Sequence, residues 1–120
     1  MLNLDTHILL HALDGRLNAA ERQLLRDDGD WGISAIVLWE IEKLHQNNRI
    51  RHGLEYAPLA LALGRLTIWP LTAEICRRLH VLDFRSDPAD ELIAATSLAH
   101  DVPLVTRDGR IRISKVVRCL

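Results

Sequence analysis

Apolar and polar positions change period several times along the chain, and each change marks an element. Leu2 to Leu4 is a short apolar run that reads as a strand ending at Asp5, and Ile8-Leu9-Leu10 opens a helical stretch closed by the Asp14-Gly15 turn. Asn18 is placed to cap a second helix, Ala19 to Arg26, with Leu24 and Leu25 turned inward. After a break at Asp28-Gly29-Asp30, Trp31-Gly32-Ile33 reads as a strand and Ser34 as the cap of a helix running to about Asn47. A helix is predicted over Leu54 to Leu63, then a strand over Leu66 to Leu71, where Pro70 suits a sheet edge. Thr72 then caps Ala73 to Leu82. Asp87-Pro88-Ala89-Asp90 is the plainest helix start, with an N-cap Asp, a Pro at the first helical position and an acid in the first turn. That helix is predicted to reach about His100. Pro103 to Thr106 reads as a strand, Arg107-Asp108-Gly109 as a turn, and Lys115 to Arg118 as a final strand.

Strands alternating with helices predict a three-layer α/β/α domain with a mainly parallel sheet. A chain of 120 residues predicts one domain over 1–120, since halves would be too small to bury a core. Ligands of such sheets bind beyond the carboxyl ends of the strands, and Asp5 and Asp108 each follow a strand directly. Glu40 stands out for another reason. In the helix after Ser34, Ile36, Val37, Ile41 and Leu44 fall on one face, and Glu40 falls inside that stripe. A carboxylate there is costly unless it pairs with an arginine or holds a metal. Glu42 lies off the stripe. Plainer roles exist for the other acids: Asp5 and Asp87 as helix caps, Asp108 as a turn residue, Asp90 as a first-turn acid favoured by the helix dipole. Spacing does not separate Asp90 from Glu91.

Composition adds limits. No apolar run approaches the ~20 residues of a membrane span, and Met1-Leu2-Asn3-Leu4-Asp5 carries no basic lead or long apolar core, so a cytoplasmic protein without a secretory signal is expected. Cys76 and Cys119 have no metal-type spacing and read as reduced thiols. No zinc pair is read among the six histidines, which are expected in surface or packing roles, with His7 kept as a rim residue. The tryptophans read as core or partner-contact residues. The formal charge of −1 hides a distribution: setting aside Asp5, Glu40, Asp90 and Asp108 leaves 12 acids against 15 bases, a balance of +3 that permits an RNA substrate. Two basic clusters are candidates for phosphate contact, Arg49-Arg51-His52 and Arg107-Arg110-Arg112-Lys115.

The motifs Leu4-Asp5-Thr6-His7, Ser34-Ala35 with Leu38-Trp39-Glu40-Ile41, Asp87-Pro88-Ala89-Asp90 with Leu92 to Thr96, and Leu104-Val105-Thr106-Arg107-Asp108 resemble, in order and separation, those of the PIN-domain family, and more closely its VapC-like toxins. The resemblance implies that Asp5, Glu40, Asp90 and Asp108 form an acidic quartet binding Mg²⁺ or Mn²⁺, with Thr6, Ser34 and Thr106 as polar supports and Asp87 as a cap or support. It implies hydrolysis of single-stranded RNA to 5′-phosphate and 3′-hydroxyl ends. Asp5 and Asp90 would ligate the principal ion, and Glu40 and Asp108 a second ion or the attacking water. It also implies a homodimer and an antitoxin partner. Two positions depart from the pattern: Glu91 stands where a basic residue is common, and His11 where an aromatic is frequent.

Large apolar side chains at Leu17, Leu24, Leu25, Trp39, Leu44, Ile50, Leu54 and Tyr56 exceed what a thin core needs, and predict a groove for an amphipathic antitoxin helix whose arginine reaches Glu40 or Asp90. Three other functions compete. A haloacid-dehalogenase-type phosphohydrolase needs an Asp two places after Asp5, where His7 stands. A catalytically idle RNA- or partner-binding domain would not need a complete quartet, and a housekeeping RNA-processing nuclease would have no antitoxin.

Overall fold

The computed structural model describes residues 1–120. Four parallel strands form one sheet in the order β3-β2-β1-β4, the middle layer of an α/β/α sandwich. The strand β1 (Leu2–Leu4) pairs with β2 (Trp31–Ser34) on one side and with β4 (Leu104–Val105) on the other. The edge strand β3 (Thr67–Trp69) pairs with β2 and stops before Pro70, as a residue without an N–H requires. All-parallel pairing buries Leu2, Leu4, Ile33, Leu104 and Val105, so these strands read as continuous apolar runs rather than alternating ones.

The helices are α1 (Thr6–Leu13), α2 (Ala19–Asp27), α3 (Ile36–Gln46), α4 (Ala57–Leu63), α5 (Ala73–Arg77), α6 (Pro88–His100) and α7 (Gly109–Arg112). Asn18 and Glu21 form a reciprocal capping box on α2. α6 packs against α3, α5, β1 and β2, and its Ile93, Ala94 and Ala95 are buried. Two side chains adapt this packing. Gly32 lets the Trp69 ring lie across β2, because a Cβ at that position would stand 2.6 Å from the ring. Asn3 is fully buried in β1 and donates from Nδ2 to Ile93 O (3.0 Å) and Ser97 Oγ (2.9 Å), tying the sheet to α6.

Several local expectations are corrected. α4 begins at Ala57 rather than Leu54, because Glu42 accepts the Leu54 N–H (2.6 Å) and Glu55 the Gly53 N–H (3.1 Å), holding the preceding residues in a turn. The helix capped by Thr72 ends at Arg77 and tightens into a 3₁₀ turn over Arg78–Val81. Ser34 belongs to β2 and Ala35 holds the cap position of α3, although Ser34 Oγ still accepts the Ile36 N–H at 3.3 Å. Asp87 sits at the N-cap of α6 without making a side-chain cap bond, while Glu91 accepts the Ser86 N–H (3.0 Å). Gly109 opens α7 instead of closing a plain turn. No strand forms over Lys115 to Arg118. Asp83 takes the Lys115 N–H and Ser114 Oγ those of Val116 and Val117, leaving only Cys119 to bridge Leu104.

Candidate metal centre

Sheet geometry brings the acids together. The chain leaves β1 at Asp5, which is buried and serves as the N-cap of α1. Its Oδ1 accepts the Thr6 N–H (2.7 Å) and its Oδ2 the Thr106 hydroxyl (2.6 Å), so the residue ending β4 orients the acid ending β1. Glu40 reaches the same point from α3, on the face that carries buried Val37 and Ile41. The Thr6 hydroxyl donates to Glu40 Oε1. Asp90 enters from the first turn of α6, and its Oδ2 accepts the Ser86 hydroxyl (2.8 Å). Asp5, Glu40 and Asp90 each place a carboxylate oxygen within 4.8 Å of the others.

Each of these acids thus receives one side-chain hydroxyl bond, and none forms an ion pair: the chain's salt bridges all lie elsewhere, and His7 acts on Asp5 and Glu40 only through charge at a distance. The salt-bridge explanation of Glu40 is therefore set aside. Burial raises the pKa of all three above the ordinary carboxylate range, against the lowering effect of their hydroxyl partners. Mutual repulsion adds to it, Asp5 and Asp90 acting on Glu40, and Asp5 and Asp108 on Asp90. Three hard oxygen donors converging without an ion-pair partner fit a divalent ion such as Mg²⁺ or Mn²⁺. Glu40 Oε2 and Asp90 Oδ1 accept no hydrogen bond from the protein and remain available to it.

The fourth predicted acid stands apart. Asp108 lies outside this cluster and caps α7, its Oδ1 accepting the N–H groups of Arg110 (2.9 Å) and Ile111 (3.3 Å). Its charge still reaches Asp5 and Asp90. Of the predicted supports, Thr6 and Thr106 bond the acids, while Ser34 bonds only the start of α3 and Asp87 acts on Asp90 through charge alone. Ser86 was not among the predicted supports. A hydroxyl four residues before an acid, just ahead of a helix start, is the signal that would have found it. The spacing ambiguity between Asp90 and Glu91 is resolved by direction: Asp90 faces the other acids and Glu91 bonds back to Ser86.

Two further expectations change. The basic cluster at Arg107 is largely committed within the fold: Arg107 forms a two-pronged pair with Glu21 (2.7 Å for both bonds), Arg110 donates to Arg85 O, and Arg112 to Thr106 O and Leu120 O. That pairing holds Glu21 well below its usual range, at about 2. The histidines are less scattered than expected, since His7 and His11 stand one turn apart on α1 with ring centroids separated by 6.5 Å. Burial and the nearby charges of Arg107, His7 and Arg16 lower the pKa of His11.

A family model described as PIN domain matches residues 3–116. Ribonuclease VapC22 of Mycobacterium tuberculosis is 31% identical over 115 residues, covering 91% of this chain and 88% of that protein. Among solved structures, VapBC2 from Rickettsia felis bound to a promoter DNA fragment superposes with a TM-score of 0.76 at 21% identity, covering 100% of this chain and 98% of the other. A toxin–antitoxin complex from Klebsiella pneumoniae gives 0.67 at 22% identity, with 94% and 92% covered. DNA-bound VapBC from Salmonella typhimurium gives 0.73 at 15% identity, with 99% and 96% covered. With a parallel sheet, converging acids at its carboxyl rim and a family match over nearly its whole length, the chain belongs to the PIN-domain family.

Proposed function

We propose that this protein is a Mg²⁺- or Mn²⁺-dependent endoribonuclease acting in the cytoplasm as the toxin of a toxin–antitoxin pair. The observation that carries the catalytic part is the convergence of Asp5, Glu40 and Asp90 with no lysine or arginine paired to any of them. These three residues would hold the ion. A divalent ion there supplies charge neutralisation for the phosphoryl oxygens and acidity for a nearby water. The chain's own part is to keep the ligands in place: Thr106 fixes Asp5, Thr6 fixes Glu40 and Ser86 fixes Asp90, each through a hydroxyl donor. Asp108, anchored at the start of α7, is proposed to orient the attacking water or help hold a second ion. Water then attacks phosphorus and the bond to the 3′ oxygen breaks, leaving 5′-phosphate and 3′-hydroxyl ends. Incubating the purified protein with total RNA, with Mg²⁺ or with EDTA, and mapping the 5′ ends tests this. Cleavage that persists in EDTA, or in Asp5→Asn, sinks it.

The antitoxin part rests on the names of the relatives and on an apolar groove of about 420 Å³ between α1, α2, Trp31 and the end of α4. Leu9, Leu13, Leu17, Leu25 and Leu66 line it, and Arg22, Arg26 and Arg65 stand around it, which suits an amphipathic segment with acidic residues. This groove is narrower than the one expected from sequence. Leu24, Ile50 and Leu54 pack on the core instead, while Trp39 is 52% exposed and is proposed to be covered by a second copy in a homodimer. Co-expression with the product of the neighbouring small reading frame, scored by growth and RNase activity, tests the partner. No binding, together with harmless RNA cleavage, leaves a housekeeping nuclease.

A further inference from the structure

Arg107 and Arg112 are committed inside the fold, whereas other basic side chains keep no partner within the protein, and two of these meet in one place. Arg16, in the turn after α1, and Arg51, before α4, line an open cavity of about 460 Å³ together with Asp14, His52 and Tyr56. Neither guanidinium forms an ion pair or a hydrogen bond within the protein. The imidazole of His52 lies flat on the Tyr56 ring, with centroids 4.0 Å apart and planes 6° from parallel. Next to this stack the surface dips into a smaller recess of about 100 Å³ floored by apolar side chains such as Leu10 and Leu59.

We propose that this cavity is an RNA subsite, in which Arg16 and Arg51 hold a backbone phosphate and the His52–Tyr56 stack receives a base of a single-stranded substrate. The proposal rests on the nuclease reading and extends its substrate path. Free guanidiniums suit phosphate oxygens, and a flat aromatic face suits any base without regard to sequence. Asp14 leaves the cavity with one net positive charge from its two arginines, and its carboxylate offers an acceptor to the amino group of a base. The route from the acids is short. α1, capped by Asp5 at one end and Asp14 at the other, separates the two by about 13 Å at 1.5 Å per residue, with His7 and His11 along the way. A protein partner would find less here, since Tyr56 is the one apolar side chain among the residues that line this cavity.

The test uses the full chain and a fluorescein-labelled single-stranded 12-nucleotide RNA, read by anisotropy in EDTA so that nothing is cut. Arg51→Glu is expected to weaken binding roughly tenfold and to lower the salt slope by about one. Tyr56→Ala should weaken it roughly fivefold, whereas Tyr56→Phe, which keeps the stack, should bind as wild type. Arg118→Glu makes the same charge change on an exposed cation elsewhere and controls for net charge. In cleavage assays the subsite variants should raise KM for RNA with little change in kcat, and leave Mn²⁺-dependent hydrolysis of bis(4-nitrophenyl) phosphate unaltered. Wild-type affinity in both Arg51→Glu and Tyr56→Ala overturns the proposal while the nuclease reading stands. A wild-type protein that cuts neither RNA nor the small diester, yet binds RNA through Arg51, reverses that outcome: the nuclease reading falls and the subsite remains. Absence of RNA binding by the wild type overturns the subsite outright.

Discussion

Glu40→Gln is expected to stabilise the metal-free protein and to remove its response to metal. At 4.8 Å and an effective dielectric constant of about 20, two unit charges repel by about 3 kcal/mol. Glu40 faces two such neighbours, but it and Asp90 are only half-buried, so solvent and partial protonation reduce the net gain to roughly 1–2 kcal/mol. A glutamine carbonyl still accepts the Thr6 hydroxyl, so the substitution removes charge without orphaning a donor. In EDTA at neutral pH the melting temperature should rise by about 3–10 °C. Saturating Mn²⁺ should stabilise the wild type by about 2–3 kcal/mol at a hundredfold excess over its Kd, and the variant far less. The pH dependence carries its own sign. A carboxylate whose folded pKa is raised binds protons more tightly when folded, so metal-free stability falls as pH rises from the unfolded value through the raised folded one. Glu40→Gln should flatten that slope. Urea unfolding with and without Mn²⁺ from pH 5 to 8 measures all three effects. A variant less stable than wild type in EDTA, or equally stabilised by Mn²⁺, would refute the metal-centre argument.

Asp5→Asn, Glu40→Gln, Asp90→Asn and Asp108→Asn should each reduce RNA cleavage by at least ~10²-fold in a gel assay. Asp108→Asn should melt as wild type, because asparagine caps α7 as well as aspartate. Full activity in it would remove Asp108 from the site. Ser86→Ala should weaken Mn²⁺ binding by about 10-fold in calorimetry, as loss of a hydroxyl fixing a ligand commonly does, and Glu91→Gln should change it far less. Arg107→Ala should flatten the acid limb of stability: the depressed Glu21 pKa contributes stability above its unfolded value of 4.5, lost as pH falls toward about 2. Acid titration followed by circular dichroism checks this, and an unchanged limb would assign it to other carboxylates.

The layered fold was legible because the elements that build it obey simple rules. Short apolar runs at Leu2 to Leu4 and Leu104 to Val105 belong to strands buried on both faces, and Asn18 announces a cap that the structure keeps. The errors fall where a side chain distant in sequence takes a backbone amide. Glu42 captures Leu54, twelve residues away, and delays α4; Asp83 captures Lys115 across 32 residues and removes a strand. No local propensity records such bonds. Ser34 erred differently, since serine before an apolar helix is a sound cap signal. Here the residue is used to end β2, and its hydroxyl reaches the helix only at 3.3 Å.

For the site, the pattern singled out Glu40 because a carboxylate on an apolar stripe needs an arginine or a metal, and the structure sets two more carboxylates beside it and no arginine. Asp5 and Asp90 were recoverable only as members of a set, because each is also well explained as an ordinary helix-start acid. The structure makes the two explanations compatible. Asp5 caps α1 and faces the cluster at once, since a helix start at a strand's carboxyl end points its first amides at the same rim. Asp108 repeats the arrangement on the neighbouring strand, capping α7 while its charge acts on Asp5. The capping bonds therefore do not compete with the metal-binding proposal. They fix the acids before any ion arrives, so that binding need not also order these side chains. Ser86 lies ahead of α6, where its amide bonds Glu91 and its hydroxyl bonds Asp90, so its role follows from the helix start rather than from any apolar pattern. Glu91 thus has an internal task, accepting the amide of the residue whose hydroxyl bonds Asp90.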